Sequence, residues 1–257
     1  MKIILKKFST FNQKQMKKIL LITFFSLSLA CKQTPKKKTT VNEALATQKE
    51  WVDLFNGDSF IGWHQFNSSE MSSAWIIEDG AMVFDPSKKE EGTSHDIVTD
   101  REYTNFELSM EWKIAEVGNS GIFWGVKEGE NYKKPYQTGP EIQVLDNERH
   151  PDSFNNPDYH QAGALYDMVQ PTQKVCKPAG EWNHIFISIN YNSNKGSVKL
   201  NDVEIVTFPL SGPDWDTLIA NSKFQDWEDF AKFKTGKIGL QDHGDGVSYR
   251  NIKIREL

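Results

Sequence analysis

From Trp51 to its C-terminus the chain is written in short runs of alternating apolar and polar residues, and this period of two commits it to β-structure. The clearest run is Phe106-Glu107-Leu108-Ser109-Met110-Glu111-Trp112-Lys113-Ile114, which alternates without a break. Successive side chains of a strand point to opposite faces, so such a run buries one face and wets the other. The segments Asp96–Thr99, Gly121–Gly125, His184–Tyr191, Lys237–Asp242 and Val247–Ile254 read as further strands. Trp75–Phe84 holds two strands around Asp79-Gly80, and Gly196–Val206 folds back across Asn201-Asp202; dipeptides of this kind favour tight hairpins. No long stretch repeats at 3.6 residues, and only Trp215–Phe233 has room for a short helix or two. No repeat of 20–50 residues suggests a propeller. Many short strands separated by turns predict an all-β sandwich or jelly roll.

The N-terminus follows a different pattern. Lys17-Lys18 precedes the apolar run Ile19–Ala30, too short to span a bilayer and suited to a signal-peptide core. It ends in Ser28-Leu29-Ala30-Cys31, which resembles a bacterial lipobox with Cys31 as the lipidated residue, although Ser28 stands where an apolar residue is usual. Residues 1–31 are expected to be a lipoprotein signal peptide and residues 32–48, rich in Lys, Thr and Gln, a disordered tether. Residues 49–257 are then one domain. The expected destination is the cell envelope, periplasm or outer membrane, with membrane contact through the lipid alone. The first 31 residues carry six lysines and no acid, so against an overall charge of -5 the remainder stands near -11. A domain this acidic argues against nucleic acid as a partner. Cys176 is the other cysteine, which excludes an internal disulfide with an acylated Cys31 and any Cys-based metal site. It is expected to be buried and inert.

Four stretches carry candidate chemistry. In Gly139–Asn147, read as a strand, Glu141, Gln143 and Leu145 share one face and Ile142, Val144 and Asp146 the other. Glu141 and Gln143 form either the floor of a polar site or the wet face of an ordinary strand. Gly118-Asn119-Ser120-Gly121 offers two small polar groups where glycine allows close approach, or is simply a turn. His160 and Tyr166 follow a long polar loop, Asn147–Tyr159, and are candidate acid/base groups; a loop histidine and a core-edge tyrosine is the plainer reading. Gln241-Asp242-His243-Gly244-Asp245-Gly246, with Arg250 beyond, can bring an imidazole, an orienting carboxylate and a guanidinium to one pocket. The alternative is a solvated hairpin with a surface arginine. The chain has no phosphate-cradling loop, nucleophile elbow or His-Glu-Xaa-Xaa-His metal motif.

Taken in order, these pieces form a pattern. It runs Trp51–Asp58 with Gly62-Trp63, then Trp75 and Asp79-Gly80, Tyr103–Leu108 and Gly118–Ile122. It continues through Glu141–Asp146, Ala162–Tyr166, Gly180–Asn183, Gly239–Gly244 and Tyr249–Ile252. The ordered set closely resembles the 3-keto-disaccharide hydrolase domain family over about Trp51 to Leu257. The resemblance implies a concanavalin-like jelly roll with its ligand on a concave face, and cleavage of glycosides oxidised at C3. A C3 ketone acidifies the C2 proton; a base removes it, and the C1 substituent leaves by elimination before water adds. On that reading Glu141 or His243 is the base, Arg250 and Gln143 stabilise the enolate, and His160 or Tyr166 assists the leaving group. Asn119, Ser120 and Asp242 line the substrate site, and Trp124, with Trp63 and Tyr136, offers a ring for sugar stacking. A divalent metal held by His243, Glu141 and Asp242 is the alternative electrophile to Arg250. No redox cofactor is expected, so a separate oxidoreductase must supply the ketone. Many relatives carry an arginine after the Asn-Ser-Gly stretch, where this chain has Phe123-Trp124-Gly125, and its insert Lys127–Thr138 is rich in Tyr and Lys. A non-catalytic carbohydrate-binding lectin on the same sandwich is the competing expectation.

Overall fold

Thirteen strands make up two antiparallel sheets in the computed structural model, which describes residues 49–90 and 92–257. The expected signal peptide, Cys31 and the tether lie outside the described residues. In chain order the strands are β1 (Val52–Asp53), β2 (Trp63–Gln65), β3 (Trp75–Glu78), β4 (Ala81–Phe84), β5 (Ile97–Thr99), β6 (Phe106–Ile114) and β7 (Asn119–Val126). They continue with β8 (Glu141–Leu145), β9 (Asn183–Asn190), β10 (Lys195–Leu200), β11 (Val203–Phe208), β12 (Lys237–Leu240) and β13 (Val247–Glu256). The larger sheet has the order β11-β10-β9-β6-β13-β4-β3, with β1 also on β13; the smaller is β2-β5-β12-β7-β8. Both expected hairpins form. Asp79 and Gly80 turn with φ of 50° and 72°, and Asn201 and Asp202 with 48° and 68°, the left-handed values that a two-residue hairpin needs.

The period-two pattern decides what lies between the layers. Phe106, Leu108, Met110, Trp112 and Ile114 of β6 meet Ile122 and Trp124 of β7 and Ile142 and Val144 of β8 in one buried cluster. Two short helices interrupt the strands: α1 (Asp152–Asn155), inside what reads from sequence as a structureless loop, and α2 (Pro213–Ala220). No helix among the described residues is long and apolar enough to cross a membrane. Cys176 is half-buried rather than buried, and desolvation pushes its thiol up to about 12.

Two features of the smaller sheet place the site. Strand β8 is its last strand, and residues 163–166 run along the open edge of β8. Gly163 N donates to Gln143 O at 2.8 Å, Gln143 N to Ala164 O at 3.1 Å and Tyr166 N to Glu141 O at 3.0 Å. Beyond α2, Ala231 N donates to Thr138 O at 2.8 Å, which brings residues 221–231 against the insert after β7.

Candidate active site

On the side of the smaller sheet turned away from the core, side chains from β7, β8 and the end of β12 meet in a cavity of about 250 Å3. It is lined by Asn119, Glu141, Gln143 and Gln241 from the sheet, with Tyr166, Lys223, Trp227 and His243 among the groups around it. Register explains the floor. Gly121 pairs with Gln143 on one side, and Gln241 N donates to Gly121 O at 2.9 Å on the other. Two glutamines thus flank a glycine in one row across three strands. The missing side chain is what admits the catalytic-looking carboxylate: a Cβ on Gly121 would stand 2.0 Å from Glu141 Oε1.

Glu141 and Gln143 are not solvated. They are 8 % and 1 % exposed. No hydrogen-bond partner for the Glu141 carboxylate occurs among the described residues, and burial pushes its pKa up to about 8, with Lys223 pulling it back down. Gln143 Nε2 and Oε1, Gln241 Oε1 and Asn119 Oδ1 are likewise buried without a partner. Orphaned buried polar atoms are rare, and a group of them around one carboxylate is a prepared site for a polar ligand.

The cavity wall is held by a network that sequence spacing did not reveal. His160 has a carboxylate at each ring nitrogen, Asp152 at 2.9 Å from Nδ1 and Asp167 at 2.9 Å from Nε2. Its ring stacks on Tyr166 at 4.3 Å between centroids. The Tyr166 hydroxyl donates to Asp152 Oδ2 at 3.0 Å, and burial followed by the charge of Asp152 pushes its pKa far up. Asp167 Oδ2 accepts from Lys223 N at 2.7 Å, and the Lys223 ammonium lies 4.1 Å from the centre of the Tyr166 ring. His160 therefore braces Tyr166 and Lys223 and does not itself line the cavity.

At the rim, Asn119 Nδ2 lies 3.5 Å from His243 Nε2, and Asp245 Oδ2 accepts from Asn119 N at 3.1 Å. The His150 and His243 rings meet edge to face at 5.9 Å. Burial, and then the charge of His243, hold His150 below the usual imidazole range. His150, His243 and Asp245 offer ligand atoms within 4.8 Å of one another. His150 Nδ1, however, accepts from Asp152 N at 3.1 Å, which leaves the proton of the neutral ring on Nε2. In that tautomer neither ring nitrogen of His150 has a lone pair free for a cation.

Five sequence candidates lie elsewhere, and the fold gives the reason for each. Arg250 is seven residues from His243, but β13 belongs to the other sheet and period two turns Arg250 opposite to buried Tyr249. Its Nε donates to Glu111 Oε2 at 2.5 Å, and its guanidinium lies 4.0 Å over Trp182. Ser120 points across the sandwich, donating to Gln241 O at 2.8 Å beside the Tyr249 hydroxyl at 2.9 Å. Trp124 stacks on Phe208 in the core at 5.8 Å, and Trp63 is buried with Nε1 donating to Leu54 O at 2.7 Å. Asp242 is spent on the fold: Lys89 pairs with it at 2.9 Å, and His95 N and Gly244 N donate to it at 3.0 and 2.9 Å. Glu141, His243 and Asp242 therefore do not form one metal-ligand set. Asn119, Glu141, Gln143, Tyr166 and His243 do converge. Lys223, Phe224 and Trp227 come from an irregular segment with no periodic signal, while Gln241 and His150 stood inside motifs without a role assigned.

Comparison with known proteins agrees with this architecture. A galectin-like protein from Bacillus subtilis shares the fold at a TM-score of 0.50 and 9 % identity, over 80 % of this chain and 94 % of that one. A proposed glycosyl hydrolase from Parabacteroides distasonis superposes with a TM-score of 0.74 at 34 % identity, over 80 % of this chain and 94 % of that one. A 3-keto-disaccharide hydrolase from Bacteroides thetaiotaomicron is 35 % identical over 231 residues, covering 80 % of this chain and 78 % of that protein. Residues 50–255 match the 3-keto-alpha-glucoside-1,2-lyase-like domain, and the chain belongs to that family of carbohydrate-active β-sandwich proteins.

Proposed function

We propose that this protein cleaves 3-keto-glycosides, with Glu141 as the base that removes the C2 proton. The observation that carries the reading is the Glu141 carboxylate itself: buried at the cavity floor, without a hydrogen-bond partner among the described residues, and with a pKa pushed up to about 8. A carboxylate titrating near neutrality is a stronger base toward a carbon acid than a solvated one and is still ionised in part at working pH. The C3 ketone supplies the acidity. As the C2–H bond breaks, charge passes to the C3 oxygen, where the Lys223 ammonium and the Gln143 amide are the available cation and donor. The C1–O bond then breaks to give the unsaturated 3-keto sugar. The departing oxygen takes a proton from His243 at the rim, since the Tyr166 hydroxyl is committed to Asp152 and its acidity is suppressed. Water adding across the new double bond completes a net hydrolysis. Asn119 and Gln241 are left to hold sugar hydroxyls.

The wider setting belongs to the same proposal. The ketone is supplied by a separate carbohydrate-oxidising enzyme, and the domain is exported and lipid-anchored through Cys31. The test is product formation from a 3-keto-glycoside beside its unoxidised parent, with and without a chelator. Cleavage confined to the ketone and abolished in Glu141→Gln supports the reading. Equal cleavage of the parent, or full activity in Glu141→Gln, sinks it. Loss of activity on chelation would assign a cation to His150, His243 and Asp245 after rearrangement of His150.

A further inference from the structure

A second cavity of about 640 Å3 adjoins the first and shares two of its residues, Tyr136 and Trp227. Their rings lie 5.7 Å apart at an interplanar angle of 42° and stand where the two cavities meet. The outer cavity is formed by residues 131–134, 136 and 137, within the Tyr- and Lys-rich insert, and by residues 227–229. Resting on the cleavage reading above, we infer that this cavity is the leaving-group subsite, and that its occupant is an uncharged sugar ring.

Three observations support this. First, position: the substrate's reacting ring fills the cavity over Glu141, and a group attached at C1 must leave through its open side. The Tyr136–Trp227 pair continues from that cavity into the outer one. Second, construction: the insert is pinned. Asn67 Nδ2 donates to Gly129 O at 3.2 Å and Tyr132 O at 2.6 Å, and the Tyr132 hydroxyl donates to Asp229 Oδ2 at 2.8 Å. The pocket is thus formed before a ligand arrives, which lowers the ordering cost of binding. Third, chemistry: aromatic rings beside a few polar groups suit a sugar, which has apolar C–H faces and a hydroxyl rim. Of the four charged groups in the lining, Lys134 is paired with Asp96 at 3.3 Å and Asp229 accepts from the Tyr132 hydroxyl, while Lys133 and Glu228 are of opposite sign. The lining thus presents no excess of either charge, which suits an uncharged occupant.

The test compares two substrates that differ only in leaving group: maltose oxidised at C3 of its non-reducing ring, and methyl 3-keto-α-glucoside. The informative variant is Asn131→Trp, because Asn131 is exposed, lines only the outer cavity and can carry a large ring into it. The expected result is at least a ten-fold loss of kcat/KM on the keto-maltose, with the methyl glycoside changed less than two-fold. The double variant Lys133→Ala/Glu228→Ala should raise KM for keto-maltose alone. Equal effects on both substrates, or none on either, overturn the subsite. Should the wild-type protein cleave neither ketone, the elimination reading fails on its own. The subsite then rests on binding of unoxidised maltose and methyl α-glucoside, followed by tryptophan fluorescence. Maltose binding at least ten-fold tighter, and lost in Asn131→Trp, upholds it; equal binding overturns it.

Discussion

Two glutamates on strands of this sandwich have opposite fates. Glu111, on the outer face of the larger sheet, is half-buried, accepts from Arg250 and Asn251, and is part of a row of solvated charges. Glu141, on the outer face of the smaller sheet, is buried and accepts no hydrogen bond among the described residues. Strand alternation places both on a face turned away from the core. What differs is the surroundings: residues 163–166 extend the edge of the smaller sheet beside Glu141 and the segment 221–231 brings Lys223 and Trp227 to the cavity over it, and no comparable segment among the described residues covers Glu111. A charged group given water or a partner is spent on solubility, while one deprived of both keeps its chemistry available.

The strongest way to break this contrast is Glu141→Gln. A positioned base typically contributes about 10²–10⁴ in rate, and a loss of that size with an unchanged circular dichroism spectrum is expected. Stability should move in the other direction. The folded pKa of Glu141, about 8, lies above its unfolded value of about 4.3, so the native state holds the extra proton between those values. Its contribution to stability is greatest at low pH and is lost as pH rises through that window. Thermal melts from pH 5 to 9 should show this decline in the wild type and a flatter profile in Glu141→Gln. The activity of the free enzyme rises through the same region, as the base becomes ionised.

Gly121→Ala attacks the same carboxylate from below. With its Cβ 2.0 Å from Glu141 Oε1, one of the two must move. Overpacking costs about 1–3 kcal/mol, and we expect at least a ten-fold drop in kcat/KM from the displaced base. Retention of full activity would mean that Glu141 works from a different rotamer.

Lys223→Met sharpens the electrostatic side. Lys223 lowers the pKa of Glu141, so its removal should shift the pH–rate profile to higher pH as well as reducing kcat. Asp167→Asn should reproduce part of that shift, because Asp167 holds the Lys223 backbone. The smallest effect is expected at the other glutamate. Breaking Glu111–Arg250 with Arg250→Ala should cost below about 1 kcal/mol, as partly exposed pairs do, and leave kcat/KM within two-fold. A large loss of activity there would return Arg250 to the site.

The period of two in the chain predicted β6 residue for residue and located the two hairpins and strand β8 to within a residue or two. It also put Glu141 and Gln143 on one face, because alternation is a local property that side-chain sterics impose on any strand. It could not say whether that face was wet. Nor could it see that Ser120 and Trp124 point into the core: the stretch Asn119–Val126 is buried on both faces, and a strand buried twice has no alternation to read. Sequence proximity misled at Arg250, because adjacent strands of the chain can belong to different sheets. Lys223 and Trp227 gave no signal, and His150 had no role assigned within the loop Asn147–Tyr159, since irregular segments place side chains by long-range packing rather than by period. The sequence by itself determined the strand pattern, the family resemblance and the pairing of Glu141 with Gln143. Only the tertiary structure decided which polar groups lose their water, because desolvation depends on what covers a face, and the covering segments come from elsewhere in the chain.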